Sequence, residues 1–423
     1  MVRFAHLESK RECEACDCAA SLEDIALALA QHSREPLNSD EARRRCLAIR
    51  DVLVRAGVYG PAETGDGAAT TDSSIPTPRF RLAPTPFPLS SSDVTFFQEL
   101  GQDLLSFYRA LNRLYQDSTR GTQPAWVAAY LDQGKPESLI TYSRMNRFRT
   151  LIPGIIRPDV IPTADGMVIT ELDSVPGGIG LTGCLTRAYD DQFTIERQPP
   201  GLPPERSPLI AGRDGMLQGF PALEEKLAFG LFHHPELAPF WEQALRPETA
   251  INLRRLLPRT WILDPQPVPP SAVIPHLTIS GRAVSDFRRL AQTTQKERQL
   301  VLKPSGFSEL AWGSRGVSIG HDLPQVEWAT ALEQALQAFP TTPYVLQEFH
   351  KGRLFELSYF DERSDTVVPM SGRVRLSPYY FVVGDKAELG GILATLCPAN
   401  KKIIHGMVDA IMAPCAIAPN LAS

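Results

Sequence analysis

A chain of 423 residues with 43% hydrophobic content is long enough to bury a sizeable core and to divide into two or three domains. Its 43 basic and 48 acidic side chains leave a net charge of −5 with no long basic stripe, so neither nucleic acid nor an anionic membrane is an expected partner, and small-molecule chemistry is the default. No apolar run reaches the roughly eighteen residues of a membrane span, and "MVRFAHLESKRECEACDC" lacks the apolar core and cleavage site of a secretory signal, so a cytoplasmic protein is expected.

Of the seven cysteines, Cys46, Cys184, Cys397 and Cys415 show no framework spacing, which suits a reducing compartment. Cys13, Cys16 and Cys18 could supply three zinc ligands with His32 as a remote fourth. No second Cys/His pair follows at a zinc-finger distance, and free surface thiols are the plainer reading. Residues 19–57 read as short helices with charged runs. The stretch from Gly60 to Ser92 is rich in Gly, Pro, Ser and Thr, holds little to bury, and reads as a linker or a wrapped surface loop. From about Asp93, Phe97, Leu100, Leu104, Tyr108, Leu111 and Tyr115 recur at helical spacing behind a Ser/Asp cap cluster, an aromatic stripe made for a core. Residues 1–150 are thus expected to form a mainly helical N-terminal region.

The next region, 151–250, opens on "GMVITELDSVPGGIGLTG", which admits two chemistries. Gly178-x-Gly180-x-x-Gly183 after a strand has the form of a dinucleotide loop, but that fold needs an acidic residue ending a second strand about twenty positions on. Glu196 lies near that distance and opens "RQPPGLPPERSP", whose prolines exclude a central strand. The other reading rests on Glu171 and Asp173, which at i and i+2 project from one face of a strand as magnesium ligation between phosphates requires. The glycines then serve close backbone approach. Cys184 reads as a small buried side chain, and "FHH" at 232–234 and the His405/Asp409 pair as structural.

In the region 251–423, "QLVLK" (299–303) is a strand, "PSGFSELAWGSRG" a small-residue loop and "VSIG" a return strand. A helix capped near Asp322 should bury Val326, Ala329, Leu332 and Leu336, and the strands "YVLQEF", "LFELSYF", "TVVPMSGRVRL" and "YYFVV" follow. Lys303 at a strand end can reach phosphate oxygens as a point charge, while loop N–H groups around Ser305 and Gly306 can close over the β- and γ-phosphates. Arg373 and Arg375, at i and i+2, share one side of a strand and suit a phosphoryl group.

This order of lysine strand, loop, helix, "QEF" strand and later arginines resembles the nucleotide clamp of an ATP-grasp enzyme over roughly residues 255–385. The acidic metal site such enzymes carry after the arginine strand is missing downstream of Arg375. It stands upstream, as Arg157-x-Asp159 followed by Glu171 and Asp173, an order that resembles the circularly permuted ATP-grasp proteins of the glutathionylspermidine synthase-like group. Where that group has Glu-x-Asn, Asp173 replaces the Asn and adds a charge, and Pro176 follows slightly later than the group's proline.

The resemblance implies an α/β (α+β) ATP-grasp fold, permuted, behind the helical N-terminal region. It implies an ADP-forming ligase that joins a small-molecule or peptide carboxylate to an amine through an acyl phosphate. In that reading ATP and Mg²⁺ are the cofactors and Asp159, Glu171 and Asp173 hold the metal. Lys303, Ser305, Gly306 and Arg375 hold the phosphates, and Gln347, Glu348 and Phe349 offer the adenine edge its donors and acceptors. Arg157 and Arg373 offset developing charge. A phosphotransferase using the same clamp and a catalytically disabled nucleotide-binding protein are the alternatives.

Overall fold

Two larger β-sheets and a two-stranded one organise the computed structural model, which describes residues 37–60, 79–173, 176–193, 226–266, 269, 272–305, 307–311, 315–401, 403–404 and 409–418. Cys13, Cys16, Cys18, His32, Glu196, Gly306 and His405 lie outside these residues. In chain order, helix α1 (Ser39–Arg55) precedes β1 (Phe87–Leu89), the long α2 (Ser91–Thr119), α3 (Ala125–Asp132) and α4 (Glu137–Ser143). The hairpin β2 (Ile155–Thr163) and β3 (Gly166–Asp173) leads to α5 (Ile179–Phe193), α6 (Leu227–His233), α7 (Ala238–Ala244) and α8 (Pro247–Leu256). Then come β4 (Thr260–Ile262), β5 (Thr278–Ile279), β6 (Arg282–Ala283), β7 (Leu300–Pro304), β8 (Ser318–Ile319) and α9 (Gln325–Ala338). The strands β9 (Tyr344–Glu348), β10 (Leu354–Asp361), β11 (Thr366–Val383), β12 (Lys386–Pro398) and β13 (Ile411–Ile417) complete the order. No helix among the described residues is long and apolar enough to cross a membrane.

The fold is mixed α/β. The seven-stranded sheet runs β1-β13-β12-β11-β2-β3, with β10 on the first half of β11 and β2 on its second half. Its strands pair antiparallel except β1 with β13. Helix α2 lies against this sheet for the reason its sequence predicts: Ser90 and Asp93 form a reciprocal capping box, and Phe97, Leu100, Leu104, Tyr108, Leu111 and Tyr115 are all buried. The four-stranded sheet, β4-β9-β7-β8, is antiparallel throughout. Leu300, Leu302 and Leu346 pack on α9, whereas Val345 belongs to the main core. Alternation along β9 therefore ties the small sheet to the rest of the chain.

Four expectations are corrected. The charged runs within 19–57 form one helix over Ser39–Arg55 in the part described, not several short ones. The Gly/Pro/Ser stretch is no loose linker where it is described, because Phe80, Leu82, Ala83, Phe87 and Leu89 are buried and β1 pairs with β13. Proline there selects a parallel edge strand, since an edge leaves one side of the backbone unpaired. In α9 the buried face is Trp328, Leu332, Ala335 and Leu336, while Val326 is 77% exposed. The helix starts after Pro324, with no side-chain cap, and the Trp328 indole donating to the Leu290 carbonyl sets its rotation. The segments "TVVPMSGRVRL" and "YYFVV" are one strand, β11, and the register shift beside Tyr379 and Tyr380 is taken up by an extra residue, Gly390, on β12. Strands β12 and β13 escape the sequence reading, although Gly384-Asp385 between β11 and β12 is a hairpin signal, and they fill the sheet beside β11.

Gly101 marks the tightest approach of α2 to the sheet. A Cβ there would lie 2.6 Å from Tyr380, whose hydroxyl donates to the Phe97 carbonyl. Replacing glycine by alanine inside a helix ordinarily gains about 1 kcal/mol, and overpacking a core costs about 1–3 kcal/mol. Gly101→Ala is therefore expected to lower the urea midpoint despite its better helix propensity; a raised midpoint would show that α2 can slide off Tyr380.

Candidate functional site

The β2–β3 hairpin gathers charge by register alone. Arg157 stands opposite Asp173 and Asp159 opposite Glu171, and cross-strand partners share a face, as do residues two apart. Just beyond Asp159 the register shifts and Thr170 is left out of the ladder. Its hydroxyl donates to the Asp159 carbonyl at 3.1 Å, and its own carbonyl accepts the Lys303 ammonium at 2.8 Å. The bulge thus turns a backbone oxygen of the large sheet toward the lysine of the small one.

Around that junction each acid meets a base. Asp159, 3% exposed, lies 3.4 Å from Arg157 and 3.1 Å from Arg375 and accepts from Ser377 at 2.9 Å. Asp173 pairs with Arg157 at 2.7 Å, and Glu171 with Lys226 at 2.8 Å. Burial alone would raise the Asp159 carboxyl, but the Arg375 and Arg157 guanidinium groups hold it below its ordinary value. Burial likewise opposes ionisation of Glu171, and Lys226 outweighs it. Lys303 is brought down to about 8 by burial, with Glu171 opposing the shift. Its ammonium also donates to Gln347 Oε1 at 2.7 Å, and Gln347 in turn donates to Thr260 at 3.1 Å, so the lysine head is held in one place.

The glycine loop borders the same cluster. The Gly177 carbonyl accepts from Arg157 at 3.0 Å and from the Tyr379 hydroxyl at 2.8 Å, and Gly178 takes a left-handed φ of +81° before α5 begins. Cys184, expected as a small buried side chain, is half-buried in α5 and packs against the main core.

Not every expected residue converges. Arg375 reaches the carboxylates, whereas Arg373 donates to the Gly352 and Ala399 carbonyls at 3.1 and 2.6 Å. Ser305 Oγ accepts the Leu227 N–H at 3.0 Å and so anchors the start of α6. The N–H groups of Glu348 and Phe349 bond the Arg259 and Gln299 carbonyls, so these backbone donors are taken by the fold. Among the described residues no three His, Cys, Asp or Glu side chains form a metal-holding group; the three hairpin carboxylates meet cations instead.

Sequence reasoning missed Lys226, Ser377 and Tyr379. The last two were reachable, because Arg373, Arg375, Ser377 and Tyr379 recur every second residue and point to one side of β11. Lys226 was not: it sits in a helical stretch, and only the fold brings it to Glu171.

No family model matches this sequence, and no curated protein matches it. Among solved structures, the chain is similar to a glutathione synthetase-like effector from Globodera pallida in its apo form, with a TM-score of 0.49 and 10% identity over 89% of this chain and 97% of that one.

Asp159→Asn would strand two guanidinium groups beside a neutral amide, and breaking a buried pair costs about 3–5 kcal/mol. Glu171, whose side chain is 36% exposed, should cost less than about 1 kcal/mol as Gln. Comparative denaturation of the two variants checks the ranking. The Asp159 contribution should be complete above its ordinary value of 3.8 and vanish as the pH falls through its lowered one. Lys303 works in the opposite window. Because the unfolded lysine binds its proton up to 10.5 and the folded one only to about 8, stability relative to Lys303→Met should rise between these values. A parallel pH dependence of the two proteins would show that Lys303 titrates normally.

Proposed function

We propose that the chain is an ADP-forming, ATP-dependent carboxylate–amine ligase of the ATP-grasp type, with the acidic strands preceding the lysine strand as in circularly permuted members. The observation that carries this reading is the Lys303 ammonium of the small sheet seated 2.8 Å from the Thr170 carbonyl, amid Asp159, Glu171 and Arg375. A nucleotide entering between the sheets meets Lys303 together with Lys226, Arg157 and Arg375, and the last three can exchange their carboxylate partners for phosphate oxygens.

The carboxylates fit a magnesium ion that arrives with polyphosphate. Asp159 and Glu171 face each other across the hairpin, and magnesium takes one or two protein carboxylates with phosphates and water completing its shell. Asp159 and Glu171 would hold the metal, which would supply charge neutralisation to the phosphates. The residues of the chain do the rest by position: Lys303 and Arg375 offset charge on the transferring group, and the Gly177–Gly178 backbone lets substrate approach closely. A carboxylate oxygen of the acid attacks the γ-phosphorus and ADP leaves. The amine then attacks the acyl carbon, and phosphate leaves carrying that oxygen.

A second reading, a nucleotide-binding protein without turnover, is favoured by one fact: Asp159, Glu171 and Asp173 are each paired with a cation. Thermal shift and product analysis separate the two. ATP with magnesium should raise the melting temperature, and Lys303→Ala should weaken the shift by at least ten-fold in apparent affinity. Loss of the shift in wild type rejects both readings. With an acid carrying heavy oxygen, one label should appear in inorganic phosphate beside ADP and an amide. AMP with pyrophosphate would indicate adenylation, label retained in the acid with phosphate on another acceptor a kinase, and binding without any product the second reading.

A further inference from the structure

A cavity of about 440 Å³ opens at β4, the free edge of the small sheet, and the charged residues of the β2–β3 hairpin do not line it. Its size falls within the roughly 300–1,000 Å³ of small-molecule pockets. One wall is a row of rings, with Trp126 5.4 Å from Tyr130 and 4.7 Å from His234 between centroids. Trp261 and Phe287 add apolar surface.

Hydrogen-bond accounting decides what such a cavity wants. The donors of its aromatic rings are occupied: the Trp126 indole bonds Glu236 at 3.1 Å, the Trp261 indole bonds the Pro275 carbonyl at 2.8 Å, and the Tyr130 hydroxyl bonds Asp264. His233 Nδ1 lies 2.9 Å from the Phe229 carbonyl and so carries the proton, which leaves Nε2 an acceptor. Burial holds this imidazole neutral, down to about 4. His234 Nδ1 is buried with no partner, and burial lowers this ring too, with Glu236 opposing. The acceptors keep capacity, because a carboxylate has about four lone-pair sites and Glu236 and Asp264 use only some of theirs. The charge balance points the same way. Glu236, Asp264 and Asp286 face a single guanidinium, Arg288, which itself lies 3.7 Å from Asp286 and 3.8 Å from Glu333.

We propose that this cavity binds an organic ammonium, a primary amine on an aromatic or aliphatic body, with its N–H groups directed to Glu236 and Asp264 and its body on the Trp126 and Tyr130 rings. An ammonium ligand supplies donors where the protein offers acceptors, and aromatic faces attract cations within about 6 Å. The same walls repel carboxylates and phosphates. The site is independent of the nucleotide reading, since none of the residues assigned to phosphate or metal lines it.

The test uses the full chain without nucleotide at pH 7.5. Phenethylamine should bind saturably by calorimetry and quench tryptophan fluorescence, while phenethyl alcohol and phenylpropionate bind at least ten-fold more weakly. Glu236→Gln keeps an acceptor for the Trp126 indole on an exposed side chain, so it should leave the melting temperature unchanged and weaken the amine at least three-fold. Trp126→Phe should remove most of the quenching. Equal binding of the neutral or anionic analogue, absence of saturable amine binding, or an unchanged affinity in Glu236→Gln would overturn the proposal. Because no nucleotide is present, none of these outcomes bears on the ligase reading.

Discussion

A carboxylate that is removed from water must be balanced from within, and Asp159 imposes that demand where β2 meets β11. Its partners Arg157, Arg375 and Ser377 come from two strands far apart in sequence, so the pairing of β2 with β11 and the balancing of this charge are one event. The other parts of the cluster follow outward. Arg157 carries on to Asp173 and to the Gly177 carbonyl, which positions the entry to α5. Thr170, displaced from the ladder beside Asp159, presents the oxygen that Lys303 bonds.

The Lys303 contact joins the two sheets beside Lys226, which bonds both Glu171 and the Ala311 carbonyl. Val345 packs into the main core a short distance along the same sheet face, so the small sheet is held by burial and oriented by hydrogen bonds. Burial of an ammonium is costly, and its lowered titration point expresses that cost. A lysine kept under such conditions is held by its hydrogen bonds to the Thr170 carbonyl and Gln347 and by the nearby carboxylates. The cavity at β4 has a different character, with aromatic walls and carboxylates, so the small sheet carries a buried ammonium at Lys303 and an acid-lined recess at its edge.

What the sequence by itself determined was local and periodic. The α2 stripe and its capping box are visible as spacing, because a helix buries residues three and four apart whatever it packs against. The hairpin face of Arg157, Asp159, Glu171 and Asp173 is equally legible, since alternation along two adjacent strands fixes which side chains stand together. Only the tertiary structure decided the partners. Lys226 meets Glu171 from the start of a helix distant in sequence, Arg373 turns to carbonyls while Arg375 two residues on takes a carboxylate, and the proline-rich stretch around Phe87 becomes an edge strand with buried side chains because β13 offers it a partner. Periodicity specifies a face but not what that face meets, and long-range pairing is settled by which charges and apolar surfaces the whole chain can bury at once.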